Sequence, residues 1–244
     1  MKVFLAGTNA GQEHNEKYIT RDVYVLESFY YIKDWQKDLS RNNENFLLDS
    51  GAFTFMVNTK KQIDWDEYVS SYAKYIKEND VKYFFELDID SVVGIKEVER
   101  LRNKLEYEAG KKCIPVWHKS RGLDYWKKMC EDYEYIAIGG LVNKEIKKTE
   151  YKNLKVMIDY AHLKGCRVHG LGFTALRLLH KYNFDTVDST SWTSGARFGT
   201  LYQFKNNKLE TISFKNRRAK DGKMINEHNL QEWIKFQKYA DRCL

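Results

Sequence analysis

Short apolar runs alternate along the chain with longer segments whose apolar residues recur at helical spacing. The runs are short enough to be buried strands, and several end at glycine or acidic residues. We predict strands at 2–6, 46–48, 81–87, 113–117, 135–138, 167–171 and 184–187. We predict helices at 22–37, 65–76, 95–108, 123–130, 151–164 and 175–182, and a last helix that Asn226 caps.

The segment that follows Asp64 shows the helical pattern clearly. Glu67 lies three residues after Asp64, which is the spacing of a capping box. The apolar positions behind this cap then recur every three or four residues, as on one face of a helix. We therefore expect Asp64 to be the residue at which a helix begins.

Strands that alternate with helices indicate parallel β–α–β units. We count about seven such units before residue 200, and 199–204 can supply an eighth strand. This count favours a closed (β/α)8 barrel, a fold of about 250 residues, over an open nucleotide-binding sheet. Gly7 and Gly11 do not form the glycine fingerprint of such a sheet. We predict one α/β domain, a TIM barrel over 1–244, in which 205–244 adds a hairpin with its turn at 205–208 and a helix.

Composition restricts the compartment and the partners. The opening run MKVFLAG is too short for a signal peptide, and no run approaches the roughly 18 apolar residues of a membrane span. The four cysteines are scattered without a CxxC pair, which argues against disulfides and against a cysteine-rich zinc site. We expect a cytoplasmic protein without a membrane partner. The net charge of +7 is compatible with a polyanionic partner, although lysine is frequent throughout the chain.

Polar side chains and glycines collect where the predicted strands end. In a parallel barrel these ends form the rim that carries the active site. Two carboxylates on one rim suit chemistry at an acetal-like carbon, where one attacks and the other moves protons. As alternatives, the aspartates could cap turns and the histidines could be structural. The residues at these ends are Asp49, Glu86, Asp88, Asp90, His118, Gly139, Gly140, His169, Gly170, Gly172 and Asp188.

Four segments match, in order, the motifs of one enzyme family. Residues 49–53 read DSGAF, close to the motif DSGGFQ, and 137–141 match AIGGL. Residues 169–172 read HGLG, similar to the element M-G-V-G. Residues 187–201 align without a gap on FDCVLPTRNARHGTL and share Asp188, Thr193, Ala196, Arg197, Gly199, Thr200 and Leu201 with it. The chain therefore resembles the tRNA-guanine transglycosylases, including their phage relatives that place deazaguanines in DNA.

The resemblance implies the exchange of a guanine in a polynucleotide for a 7-deazaguanine. Asp188 would attack C1′ of the target nucleotide and form a covalent glycosyl-enzyme. Asp49 would be the general acid/base for the leaving and incoming bases. Asp88 or Asp90 would read the Watson–Crick edge of the purine, because a carboxylate accepts N–H bonds. The target base would have to leave its stack to reach the pocket.

The resemblance also implies further contacts with the substrates. Phe53 would stack on the purine or pack in the core, and backbone amides at the glycines would approach the base. The residues expected to bind the base are Ser50, Gly51, Phe53, Asp88, Asp90, His118, Gly139, Gly140, Gly170 and Gly172. The cations expected to contact phosphate are Arg197, Lys215, Arg217 and Arg218, although the last three lie in a run of the kind that is more often a solvated charged loop.

The chain departs from the family pattern at several positions. Ala52 replaces a motif glycine, and Trp117-His118-Lys119 occupies the place of a Q-G-G element. Trp192-Thr193-Ser194 replaces Pro-Thr-Arg, so that one arginine is lost. The family's CxCxxC…His zinc site is absent from the sequence. These departures favour DNA, or an atypical RNA, over a standard tRNA as the substrate.

The partners expected are therefore DNA or tRNA and a 7-deazaguanine base, with no cofactor and no metal. A homodimer remains open, and the location would be the host cytoplasm if a phage encodes the chain. Two other functions remain open at the level of sequence. One is a nucleic-acid-binding barrel or partner subunit without catalysis, and the other is a glycosidase or hydrolase that uses Asp49 and Asp188.

Overall fold

Eight short parallel strands form one sheet that closes into a barrel. The computed structural model describes residues 1–9, 15–52, 54, 63–143, 145–173, 178–213 and 222–244. The strands are β1 Lys2–Ala6, β2 Val25–Ser28, β3 Phe46–Asp49, β4 Tyr83–Phe84, β5 Val116–Trp117, β6 Tyr135–Ile138, β7 Arg167–Gly170 and β8 Thr186–Ser189. Their order is β4-β3-β2-β1-β8-β7-β6-β5. A parallel bridge between Phe85 and Ile114 joins the two ends of this order, and the Ile114 N–H donates to the Phe84 carbonyl at 2.7 Å. The prediction of a (β/α)8 barrel is confirmed.

Helices of very different length connect the strands. They are α1 Trp35–Ser40, α2 Trp65–Glu78, α3 Asp90–Val93, α4 Ile95–Ala109, α5 Gly122–Asp132, α6 Tyr151–Leu163, α7 Leu179–Tyr182, α8 Ser194–Phe198 and α9 Gly222–Cys243. The Asp64 side chain accepts the Glu67 N–H at 3.0 Å, so the predicted cap of α2 is confirmed. None of the helices in the described ranges has the length and apolar character needed to cross a membrane.

The alternation of side chains along each strand creates two buried layers. One layer lies between the strands and the helices and includes Val3, Leu5 and Leu48. The other fills the barrel interior and includes Phe4, Leu47, Phe85, Ile114, Val116, Tyr135 and Ala137. Continuing the alternation places the last inward-facing positions of β3 and β8 at Asp49 and Asp188. The interior is therefore closed by apolar side chains below these aspartates.

The prediction of a helix over 22–37 is wrong, because Val25–Ser28 forms strand β2. Val25 and Leu26 are buried on opposite faces of the sheet. A strand that is covered on both faces has a continuous apolar run without the alternation that identifies a strand. The predicted strands therefore omit the second strand of the barrel. Asp49 ends the third strand rather than the second, as the prediction had it. The suggestion that 199–204 supplies the eighth strand is also wrong, since β8 closes the barrel with β1.

Residues 200–213 form the predicted hairpin instead. Strands β9 Thr200–Lys205 and β10 Lys208–Ser213 are antiparallel. Asn206 and Asn207 have φ angles of 51° and 60°, as a two-residue hairpin turn requires. The last helix differs from its prediction, because α9 already includes Gly222 and Asn226 is buried within it rather than capping it.

Buried amides on α9 attach this helix to the barrel. The Gln237 side-chain amide donates to the carbonyls of Val3 and Tyr24 at 2.7 and 2.6 Å, and its oxygen accepts the Tyr24 N–H at 3.1 Å. Asn229 similarly bonds the backbone of Trp192, Thr200 and Tyr202. These bonds satisfy backbone groups that would otherwise be buried without partners.

Replacing Gln237 with leucine should lower the free energy of unfolding by about 2–3 kcal/mol, because it removes the side-chain partner of the Val3 carbonyl and of the Tyr24 N–H. Urea denaturation measures this change. Gln231→Leu is the matched control, since Gln231 is exposed on the same helix and its replacement should alter stability by less than about 0.5 kcal/mol. Equal stability of the two variants would contradict this role for Gln237.

Candidate active site

Carboxylates from three different strand ends meet at the C-terminal rim of the barrel. Asp49 ends β3, Asp188 lies in β8, and Asp88 follows β4. They are close enough that the charges of Asp88 and Asp188 both raise the pKa of Asp49. The structure thus brings together the two residues predicted to be catalytic and one of the two predicted to read the base.

Asp188 is buried and its carboxylate is held on one side. Its Oδ1 atom accepts the Gly172 N–H at 2.5 Å and lies 3.1 Å from Nε2 of His169. Within the described ranges, Oδ2 makes no hydrogen bond. One oxygen of Asp188 is therefore held by the Gly172 N–H and by the contact with His169, and the other remains available to a reacting group.

Asp49 is held more loosely and its acidity is weakened. Its Oδ2 atom accepts the Gly51 N–H at 2.9 Å. Burial raises the pKa of Asp49 to about 6, the charges of Asp88 and Asp188 act in the same direction, and the Gly51 bond opposes them. A carboxyl group with such a pKa can both give and take a proton near neutral pH.

Asp88 is paired with a histidine. Nε2 of His118 lies 2.5 Å from Asp88 Oδ1, and its Nδ1 lies 2.9 Å from Glu145 Oε2. Burial lowers the pKa of His118, but the bonds to Asp88 and Glu145 outweigh it and raise the pKa to about 9. His118 is therefore a cation at neutral pH that orients Asp88 and Glu145.

Asp90 takes part in a different set of ion pairs. Its Oδ2 atom accepts from Nε of Arg121 at 3.0 Å, and Arg121 also donates to Glu86 at 2.9 Å. Glu86 is fully buried and accepts a further bond from Arg102 at 3.1 Å. Since Asp90 is bound to a buried arginine, the geometry favours Asp88 as the carboxylate that faces Asp49.

One ligand atom from each of Asp88, Asp90 and His118 lies within 4.8 Å of the other two, a set that could hold a metal ion. Two cations already balance this set, because Arg121 binds Asp90 and the protonated His118 binds Asp88. A metal ion would have to displace the proton of His118 to bind there.

Two glycines of the rim leave space for the His118 pair. A Cβ atom on Gly139 would lie 2.7 Å from Cε1 of His118, and one on Gly140 would lie 2.8 Å from Glu145. Gly140 also has a φ angle of +74°, which favours glycine. The chain therefore reverses tightly after β6, and Glu145 reaches back to His118.

The other glycines and Ser50 have varied surroundings. Gly51 has a φ angle of +73°, and a Cβ atom there would lie 2.5 Å from Ser28 Oγ. The buried Ser50 presents its carbonyl to the Tyr68 hydroxyl. Gly172 lies beside Asp188, whereas a Cβ atom on Gly170 would meet Phe184 and Phe173 on the outer layer. Gly170 therefore offers the site its backbone only.

Several predicted contacts fall where the structure gives no side-chain information. The backbone of Arg197 lies in helix α8, and the position of its side chain is not described. Phe53, Lys215, Arg217 and Arg218 lie outside the described residues. Their assignment to the base and to phosphate stays a prediction from the sequence.

Sequence reasoning missed Glu145 and Arg121. Both lie in loops after barrel strands, where a charged residue usually faces solvent. Their contacts are with residues 27 to 35 positions away in the chain. A sequence signal for Glu145 existed in the two preceding glycines at 139–140, since such a pair permits a tight reversal.

The chain matches no protein-family model and no curated protein.

The variant Asp49→Asn should be more stable than the wild type at pH 7 by about 1–3 kcal/mol. The pKa of Asp49 in the folded protein, about 6, lies above that of an unfolded aspartate, about 4. Ionisation therefore destabilises the wild type progressively as the pH rises from about 4 to about 6, and an asparagine avoids this cost while keeping the acceptor for Gly51.

Urea denaturation at pH 4, 5, 6 and 7 checks this prediction, with Asp124→Asn as the control because the Asp124 side chain is 99% exposed. The stability difference should grow with pH for the Asp49 variant and stay flat for the control. A pH-independent difference for Asp49→Asn would show that its pKa is not raised.

Gly139→Ala should displace His118 from Asp88, because the new methyl group would lie 2.7 to 2.9 Å from the imidazole ring. The pKa of His118 should then fall from about 9 towards the ordinary value of about 6.5. An NMR titration of the imidazole measures it. Gly170→Ala is the control, since its methyl group faces the outer layer, and an unchanged pKa in Gly139→Ala would refute the steric argument.

Proposed function

We propose that this barrel exchanges a guanine base in a polynucleotide for a 7-deazaguanine, through a covalent intermediate on Asp188. The observation that carries the proposal is the unequal environment of two carboxylates on one rim. Asp188 has one oxygen held by the Gly172 N–H and in contact with His169, whereas Asp49 has a pKa raised to about 6. Pairs of carboxyl groups in unequal environments divide nucleophilic and acid/base roles in glycosyl transfer.

In the first half of the proposed reaction, Oδ2 of Asp188 bonds to C1′ of the target nucleotide as the bond from C1′ to N9 of guanine breaks. The electron pair of that bond leaves with guanine, and Asp49 supplies the proton that the departing base takes up. In the second half, Asp49 accepts the proton from N9 of the incoming base. That nitrogen then bonds to C1′, and the Asp188 carboxylate is released.

The His118 pair supports recognition of a purine in this proposal. A carboxylate accepts the N–H groups of the guanine Watson–Crick edge, and Asp88 is held by a charged His118 at 2.5 Å. Asp90 is bound to Arg121 and would act by holding the loop that carries Asp88. The reaction needs no cofactor, because the two aspartates supply the nucleophile and the proton transfers.

DNA is the favoured polynucleotide in this proposal. The sequence lacks the CxCxxC…His zinc site of the family it resembles, and with it a large part of the elements that bind tRNA. Arg197, Lys215, Arg217 and Arg218 are the proposed phosphate contacts. Such contacts bind either nucleic acid, and the test therefore compares DNA with tRNA directly.

The proposal predicts repeated release of guanine from a radiolabelled polynucleotide only when a 7-deazaguanine base is present, and at most one equivalent of guanine per protein molecule without it. Purified protein is incubated with guanine-labelled duplex DNA, single-stranded DNA or tRNA, and free base and incorporated deazaguanine are both measured. Asp188→Asn should abolish release, and Asp49→Asn should slow it by about 10²–10⁴-fold. Asp124→Asn on the surface of α5 should retain full activity.

Other outcomes would identify the competing functions. Salt-dependent binding without any release would indicate a binding module. Loss of guanine without incorporation of a second base would indicate a hydrolase. Equal activity of Asp188→Asn and wild type would exclude Asp188 as the nucleophile.

A further inference from the structure

A chain of buried polar side chains runs up the barrel interior and ends at Asp188. The Tyr135 hydroxyl lies 2.5 Å from Thr186 Oγ1, and Thr186 Oγ1 lies 2.6 Å from Nδ1 of His169. Nε2 of His169 then lies 3.1 Å from Oδ1 of Asp188. All four residues are buried, and His169 has no solvent exposure. The side chains therefore contact one another directly within the barrel.

Two neighbouring strands build this chain. Thr186 and His169 are directly opposite each other in the register of β8 and β7, and Asp188 is the next inward-facing residue of β8. Tyr135 and Thr186 also line a cavity of about 250 Å³ on the side of Lys2 and Arg167. The chain thus spans the barrel from that cavity to the catalytic rim.

The surroundings favour one arrangement of the protons. The ring of His169 packs against Phe85 and Phe4, with centroids 5.2 and 6.4 Å away, which fixes its orientation. Asp188 Oδ1 accepts the Gly172 N–H, and a carboxylate oxygen that accepts calls for a proton on the facing Nε2 of His169. Its Nδ1 then accepts from the Thr186 hydroxyl, which accepts from Tyr135. Burial raises the pKa of Tyr135, so this hydroxyl remains a donor.

We propose that His169 is a positioning residue for Asp188 and that Thr186 sets the tautomer through which it acts. His169 and the Gly172 N–H together fix Oδ1, which leaves Oδ2 directed at the anomeric carbon. The catalytic part of this inference rests on the proposed function. The hydrogen-bonding part concerns the free protein and is testable without any substrate.

The chain resembles a family whose motif has methionine where this sequence has His169. Methionine has no hydrogen to donate. His169 is thus a position at which this chain departs from the motif, and its contact with Asp188 is not part of what the resemblance implies.

The first test is nitrogen-15 NMR of the imidazole rings in the intact protein at pH 6, 7 and 8. We expect the neutral His169 ring to carry its proton on Nε2. In Thr186→Val, which keeps the side-chain shape and removes the hydroxyl, a second tautomer should appear. Thr211→Val on the exposed strand β10 is the control. A neutral wild-type ring that is protonated on Nδ1 would overturn the proposal.

The second test measures the rate of covalent complex formation at saturating polynucleotide, together with the affinity for that polynucleotide. His169→Leu should slow the rate by about 10²-fold at unchanged affinity, and His169→Gln, whose amide can donate near the position of Nε2, should restore much of it. The rate of covalent complex formation for Thr186→Val should lie between those of His169→Leu and His169→Gln. His180→Gln, at an exposed histidine, should match the wild type.

These measurements distinguish a positioning role of His169 from a merely structural one. They also distinguish failure of this inference from failure of the proposed function. A purely structural role would lower rate and affinity together, in proportion to the folded fraction measured by circular dichroism, and would overturn the proposal. If no variant and no wild type forms a covalent complex, the proposed function fails. The NMR result then still decides whether His169 donates to Asp188.

Discussion

The placement of several carboxylates on one rim is the constraint on which the site depends. Each carboxylate loses hydration there, and each repels the others, so an ionised group needs a donor or a cation. Asp188 has the Gly172 amide and His169, Asp88 has His118, and Asp90 has Arg121. Asp49 interacts with the backbone N–H groups of Gly51 and Ser50, which do not offset its burial, and its pKa is raised to about 6.

The carboxylates of the rim differ chemically because they have different hydrogen-bonding and charged partners. The raised pKa of Asp49 allows its proton to exchange near neutral pH, whereas Asp188 is held through Oδ1 and presents Oδ2. The same groups are held by elements distant in sequence, since the closing bridge between Phe85 and Ile114 and the packing of α9 on β1 and β2 set the barrel's shape. Fold and site are therefore coupled through a few buried polar contacts.

Much of the fold could be predicted from the sequence because the strand–helix alternation is regular. The cap at Asp64 and the hairpin turn at 205–208 could be recognised because each depends on local chemistry. Strand β2 could not, since burial on both faces removes the alternation and its aromatic neighbours imitate helical spacing. The cap assigned to Asn226 failed because a buried amide inside α9 has the same local sequence character as a cap.

Those residues of the candidate site that lie at strand ends could be predicted from the sequence. Asp49 and Asp188 occupy such ends, so that the barrel rule alone places them on one rim. Glu145 and Arg121 were missed because their roles depend on loops that fold back over the rim, and only long-range contacts reveal them. The choice between Asp88 and Asp90 likewise depended on which cation each one meets.

Locating the covalent bond tests the central claim most directly. The complex formed with a guanine-bearing polynucleotide is digested with nuclease and trypsin, and the modified peptide is sequenced by mass spectrometry. The account predicts a nucleotide attached at Asp188, in the tryptic peptide that covers 182–197. A nucleotide attached to Asp49 or to any other residue, or a substrate converted without a covalent complex, would contradict it.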